Sequence, residues 1–187
     1  MTKKYKNWRV ERDNQDIAWL TIDKADSSTN ILSAELVNEF EEIVSDLSAA
    51  PPKGVVLKSA KASGFIAGAD VNEFTKFDSE ETALAVIQHA HKIFNEFEQL
   101  PCPTIAMIHG FCLGGGMELA LACNYRVADD DPKTKLGLPE VKLGIHPGFG
   151  GSVRSIQAMG AMAAMNFMLT GRNLNARTAK KQGLIDF

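Results

Sequence analysis

Residues 103–123, PTIAMIHGFCLGGGMELALAC, contain a short aliphatic run, three consecutive glycines and a second apolar stretch with an acid at its start. The run at 103–110 reads as a buried strand, and MELALAC reads as a helix opening on Gly114, Gly115 and Gly116. A strand passing through glycines into a helix is the local grammar of α/β architecture. Glycine lets a backbone approach a ligand closely, and amides at a helix start carry the positive end of its dipole. Two readings stand for such a cluster: a tight turn, or a cradle that stabilises an oxyanion at Gly115 or Gly116.

Outward from this stretch the alternation continues. Residues 17–22 (IAWLTI) and 54–60 (GVVLKSA) read as buried strands, and 124–128 as a more polar one. A helix with Ser33 as N-cap is predicted between the first two, because Leu36, Val37, Phe40, Ile43, Val44 and Leu47 recur at helical spacing until Pro51 and Pro52. A second helix is expected to open at Asp78, which has capping-box spacing to Glu81, with Leu84, Ile87, His91, Phe94 and Phe97 on its apolar stripe. After Gly151 the pattern predicts helix up to Thr170, with Gly171 as its stop, and a short helix over 175–182. Met159, Met162, Met165 and Met168 read as a core face, or as a pliable wall for an acyl chain. No repeat, linker or low-complexity tract divides the chain, so residues 1–187 form one α/β domain with a single core.

Composition narrows the function classes. The chain has 187 residues, 45% of them hydrophobic, and a net charge of −3. That balance gives no electrostatic footprint for nucleic acid, and no apolar stretch approaches the roughly 18 residues of a membrane span. Cys102, Cys112 and Cys123 lack C-x-x-C spacing and read as buried reduced thiols, which favours the cytoplasm. The four histidines have no metal-ligand spacing, so no metal site is expected. The dinucleotide fingerprint, the phosphate loop and the G-x-S-x-G elbow are all absent. The apolar ending GLIDF predicts a domain that continues beyond Phe187.

What remains are carboxylates beside glycines. Three glycine-bearing stretches stand out: SGFIAGAD at 63–70, GFCLGGGMEL at 110–119 and GLPEVKLGIHPGFGG at 137–151. Glu118 sits in the first turn after the triple glycine, and Glu140 follows Pro139. An acid at a helix start is also explained by the dipole, and a loop acid by solvent. Together, two carboxylates in glycine-framed loops suit general acid/base chemistry, because neighbours and burial can push their pKa values apart.

In this order the three stretches closely resemble the enoyl-CoA hydratase/isomerase (crotonase) family over nearly the whole chain. Residues 124–151 are especially similar to the hydratase domain of multifunctional fatty-acid oxidation α-subunits. The resemblance implies a spiral of repeated β-β-α units, with the family's C-terminal helical region largely missing here and the domain cut short. It implies hydration of trans-2-enoyl-CoA in β-oxidation, with Glu118 activating the water and Glu140 orienting it and protonating C2. The oxyanion amides carry over to Ala67 and Gly115, and the coenzyme A contacts to Ala69, Asp70 and Gly114. Lys58 and Lys61 are placed to meet phosphates.

Pure isomerases of the family commonly lose the first acid, so Glu118 favours a hydratase over a Δ3-Δ2-enoyl-CoA isomerase. The two acids also weigh against a non-catalytic acyl-CoA-binding module. The resemblance further implies no metal or redox cofactor in this domain, NAD only where a dehydrogenase domain follows, and a thiolase subunit or further copies of the chain as partners. His146, Phe149 and the stretch SVRS depart from the family's usual residues and bear on acyl-chain preference.

Overall fold

A computed structural model of the chain describes residues 4–75 and 77–187. It opens with a hairpin of β1 (Trp8–Arg12) and β2 (Ile17–Ile22), followed by helix α1 (Ala34–Ala49). Three units that repeat in structure, though not in sequence, follow. The first consists of β3 (Gly54–Ser59), β4 (Gly64–Ile66), α2 (Val71–Phe74) and α3 (Glu80–Glu98). The second is β5 (Thr104–Ile108), β6 (Phe111–Leu113) and α4 (Gly115–Leu121). The third is β7 (Tyr125–Ala128), β8 (Lys135–Gly137), a 3-10 turn (Glu140–Leu143), α5 (Gly151–Met159) and α6 (Ala161–Thr170), and α7 (Ala176–Lys181) comes last.

Each repeat gives its first strand to one sheet and its second to another. The larger sheet runs β1-β2-β3-β5-β7, and the smaller runs β4-β6-β8. Among the strand pairs of the described residues, β1–β2 is antiparallel and the others are parallel. This is the expected spiral of β-β-α units. Strand β2 alternates half-buried and buried residues, and the predicted stripe of α1 is wholly buried. Around Phe40 the rings of Trp8 and Phe97 lie 5.1 Å away and that of Phe94 6.4 Å away, tying α1 to β1 and α3.

Several elements differ from the sequence reading. Strand β1 lies in a segment that reads as polar. As an edge strand it has one neighbour and one covered face, and Trp8 alone is fully buried, its indole N–H donating to Leu36 O at 3.1 Å. Helix α3 is capped by Ser79, whose hydroxyl accepts the Thr82 N–H, and Asp78 instead accepts from the Thr82 hydroxyl. Of its expected stripe, Leu84 and Ile87 are exposed.

The helix expected up to Thr170 is broken at Gly160, whose φ is +79°. The methionine row is no core face, since Met162 is 83% exposed and Met165 48%. A three-residue interval falls about 60° short of a turn at each step, so the row drifts around the helix. Ala164 and Phe167 take the buried positions of α6.

The contact between α4 and β4 has no room for a side chain. A Cβ on Gly116 would lie 2.6 Å from the carbonyl oxygen of Ile66. Gly116→Ala is therefore expected to cost about 1–3 kcal/mol of stability through overpacking, read as a lower urea midpoint. An unchanged midpoint would show that the two elements can separate without cost.

Candidate active site

The strands of the small sheet are parallel, so their carboxyl ends share one edge. The three glycine-bearing stretches leave that edge from equivalent places: Ala67 to Asp70 after β4, Gly114 and Gly115 after β6, and Leu138 to Glu140 after β8. Crevices at the carboxyl ends of parallel strands are the usual ligand sites of α/β folds. The loops meet at Gly114, whose φ is +51°. A Cβ there would sit 3.2 Å from Glu140 Oε1 and 3.6 Å from Gly68 Cα.

Above this junction lies a cleft of about 630 Å³. Both candidate acids line it, together with Ala69, Gly114 and Gly115, and Phe74, Ile87, Leu143 and Ile145 make its walls apolar. His91 lines it too, although its place on the α3 stripe reads as core. Among the described residues no group of three or more His, Cys, Asp or Glu is arranged to hold a metal. No helix among them is long and apolar enough to cross a membrane. The three cysteines are buried and free.

Glu118 is 2% exposed. Its Oε1 accepts the Phe149 N–H at 2.7 Å and the Gly151 N–H at 2.8 Å, so the loop before α5 fixes the carboxyl. Burial pushes its pKa up to about 7; the Gly151 and Phe149 amides and the Arg154 guanidinium oppose that rise, and the neighbouring Glu140 adds to it. Burial likewise raises Glu140, against the lowering influence of a backbone hydrogen bond and of His146. Glu140 Oε2 is buried and, among the described residues, has no hydrogen-bond partner. A buried carboxylate oxygen left unpaired is costly and calls for a functional explanation.

The amides divide differently from the sequence reading. The Ala67 N–H donates to Asn30 O at 2.9 Å, and is therefore not free to meet an oxyanion. The 67–70 segment pairs with 30–32, with the Leu32 N–H donating to Gly68 O and the Asp70 N–H to Leu32 O. Gly68, at φ +125°, interrupts the regular strand, and the Ala69 N–H has no partner among the described residues. Gly115 is the first residue of α4, where an N–H has no intrahelical acceptor, and its amide is likewise unpartnered among the described residues.

The expected coenzyme contacts are partly committed elsewhere. The Asp70 carboxylate caps α2, accepting the Asn72 N–H at 3.1 Å and its side-chain amide at 3.0 Å. The Lys61 ammonium pairs with Asp23 at 2.7 Å, and Lys58 lies 5.1 Å from the Trp19 ring centroid. Neither lysine stands as an uncommitted cation. The only sequence signal for Phe149 and Gly151 as backbone donors to Glu118 is the glycine-bearing stretch at 137–151.

The enoyl-CoA hydratase/isomerase family model matches residues 12–187, and the chain belongs to that family. Its relatives include the fatty acid oxidation complex subunit alpha of Aliivibrio fischeri, 44% identical over 177 residues, covering 94% of this chain and 26% of that protein. The subunit of the same name from Vibrio campbellii is 43% identical over 182 residues, covering 97% and 26%. The chain thus spans about a quarter of the length of these relatives. Among solved structures, an enoyl-CoA hydratase from Geobacillus kaustophilus superposes with a TM-score of 0.91 at 29% identity, covering 99% of this chain and 68% of that one. One from Bacillus anthracis gives 0.87 at 33% identity, covering 97% and 69%. The fold is therefore the crotonase fold.

Proposed function

We propose that this chain hydrates trans-2-enoyl-CoA to 3-hydroxyacyl-CoA. The observation that carries the reading is a pair of buried carboxyls, Glu118 and Glu140, sharing one cleft with two unpartnered backbone amides. The Ala69 and Gly115 N–H groups receive the thioester oxygen, where negative charge develops as water adds. Each such donor is worth about 3 kcal/mol of barrier. The water oxygen bonds to C3 while Glu118 takes one of its protons. Glu140, whose Oε2 has no other partner among the described residues, orients the water and in its protonated form gives its proton to C2; the proton held by Glu118 then returns to Glu140 through solvent and resets the pair. Water and the chain's own groups suffice for this step, and the apolar walls suit an acyl tail.

The names of the longer relatives support placing this step in fatty-acid β-oxidation. An oxidation at C3 would consume the hydroxyl product, and the word complex in those names supports a partner subunit.

A pH dependence follows. Glu118 must be ionised to take a proton, and its pKa in the free site is about 7. kcat/KM is therefore expected to show an acid limb near neutrality as Glu118 ionises and to fall again at higher pH as Glu140 loses the proton it gives to C2, because that parameter reports the free enzyme. A profile flat across neutrality would contradict the assignment of Glu118 as base.

The activity itself is tested by following the ultraviolet absorbance of a conjugated trans-2-enoyl-CoA together with the product mass. Loss of absorbance with a gain of one water supports hydration. The isomerase reading is favoured by the lone unpaired oxygen of Glu140, since one base suffices to move one proton. It predicts instead that a 3-enoyl-CoA gains conjugation with no change in mass, and no hydration of the 2-enoyl substrate would sink our proposal.

A further inference from the structure

We propose that Arg154 is a positioning residue of this site: a buried guanidinium that ties the loop at 147–151 to helix α3 and so holds the amides that fix the Glu118 carboxyl. The inference rests on the hydratase reading for its kinetic consequence, while its geometric content stands apart from it.

Arg154 lies on α5 and is 5% exposed. One arm reaches the loop, with Nη1 donating to Phe149 O at 3.1 Å. The other side grips α3: Nε and Nη2 donate to Glu98 Oε2 at 3.0 and 2.8 Å, and Nη2 donates to Asn95 Oδ1 at 2.6 Å. Phe149 is thus held at both ends, its carbonyl by Arg154 and its N–H by Glu118. Its ring packs edge-on against Phe94 of α3, with centroids 5.8 Å apart. Gly150, at φ +101°, leaves the space that the guanidinium occupies, since a Cβ there would collide with Arg154 Nη1.

The planar five-donor fork suits this work, because it satisfies acceptors on two elements at once. A lysine ammonium is a point donor and cannot bridge them in the same way. Among the described residues, the charged groups whose fields act on Glu118 are Glu140, from the turn after β8, and Arg154 itself. Behind them stand Glu98 and His91 of α3, the latter with its Cε1 3.7 Å from where a Gly150 Cβ would sit, and His146 beside Glu140. Among the described residues Arg154 is the cation whose field acts on Glu118, and it favours the ionised carboxylate.

The test compares Arg154→Met and Arg154→Lys with the unaltered chain, each checked for folding by its urea transition. Arg154→Met is expected to lower kcat by about 10–100-fold, as for a carboxyl displaced by a fraction of an ångström, with KM little changed. The acid limb of its kcat/KM profile moves to higher pH. Arg154→Lys restores that limb but only part of kcat. A folded Arg154→Met with unaltered kcat and limb overturns the proposal. If that variant fails to fold, Glu98→Gln loosens the same strut from its half-exposed end, and a kcat equal to that of the unaltered chain there overturns it equally. NMR titration of the labelled Glu118 carboxyl gives a readout without substrate. A midpoint raised in Arg154→Met supports the strut even if the chain hydrates nothing, and an unmoved midpoint removes it whatever the activity.

Discussion

Glu118→Gln is expected to lower the hydration rate by about 10²–10⁴-fold, the usual worth of a positioned acid/base group, and at the same time to stabilise the fold in alkaline solution. The two effects share one cause. Burial raises the Glu118 pKa from an ordinary 4.5 to about 7. Between those values the folded state binds more protons than the unfolded state, so stability falls as pH rises through this window and the penalty is complete above the folded pKa. At about 1.4 kcal/mol per pH unit, the charge costs about 3 kcal/mol once it is fully formed. A glutamine removes that cost, and its oxygen can still accept from Phe149 and Gly151.

Urea unfolding at about pH 8 is therefore expected to show the variant more stable than the parent, by about 3 kcal/mol on the same linkage. Well below the ordinary carboxylate pKa the difference should vanish. A variant that loses activity and also loses stability at alkaline pH would mean that the carboxylate holds the fold together, contrary to its placement as a strained base.

Gly151→Ala is expected to cost about 10²-fold in kcat while leaving both carboxyls in the chain, since a displacement near 1 Å has that effect. A Cβ at this position would fall 2.7 Å from Glu118 Cγ and 2.9 Å from its Oε1. The backbone donor and the side chain it fixes are in direct contact, so neither can yield without moving the other. Steady-state kinetics on the folded variant decide the matter, with the loss expected in kcat. Full activity would show that Glu118 tolerates displacement, and that its hydrogen bonds to the loop are incidental.

These expectations depend on features of unequal visibility in the sequence. Glu118 and Glu140 were legible because each is an acid pinned beside glycines, and the three stretches carried the family resemblance. Strands β4, β6 and β8 were not legible, because each has three residues and none can show a period. Yet that small sheet brings the stretches to one edge. The amides show the same limit more sharply. Ala67 and Ala69 are two residues apart in one string, and which N–H stays free is decided by Asn30, far back in the chain, and by the conformation of Gly68. Arg154 enters the sequence reading only within the stretch SVRS, and the meeting of α5 with α3 is what buries it.

Hydration in water enriched in heavy oxygen tests the central claim most directly, with the unaltered chain run beside a Glu118→Gln/Glu140→Gln double variant. The unaltered chain is expected to place the label on C3 of the 3-hydroxyacyl-CoA, and the double variant to leave only background. No label from the unaltered chain, or equal label from the two proteins, would contradict a hydratase built on these carboxyls.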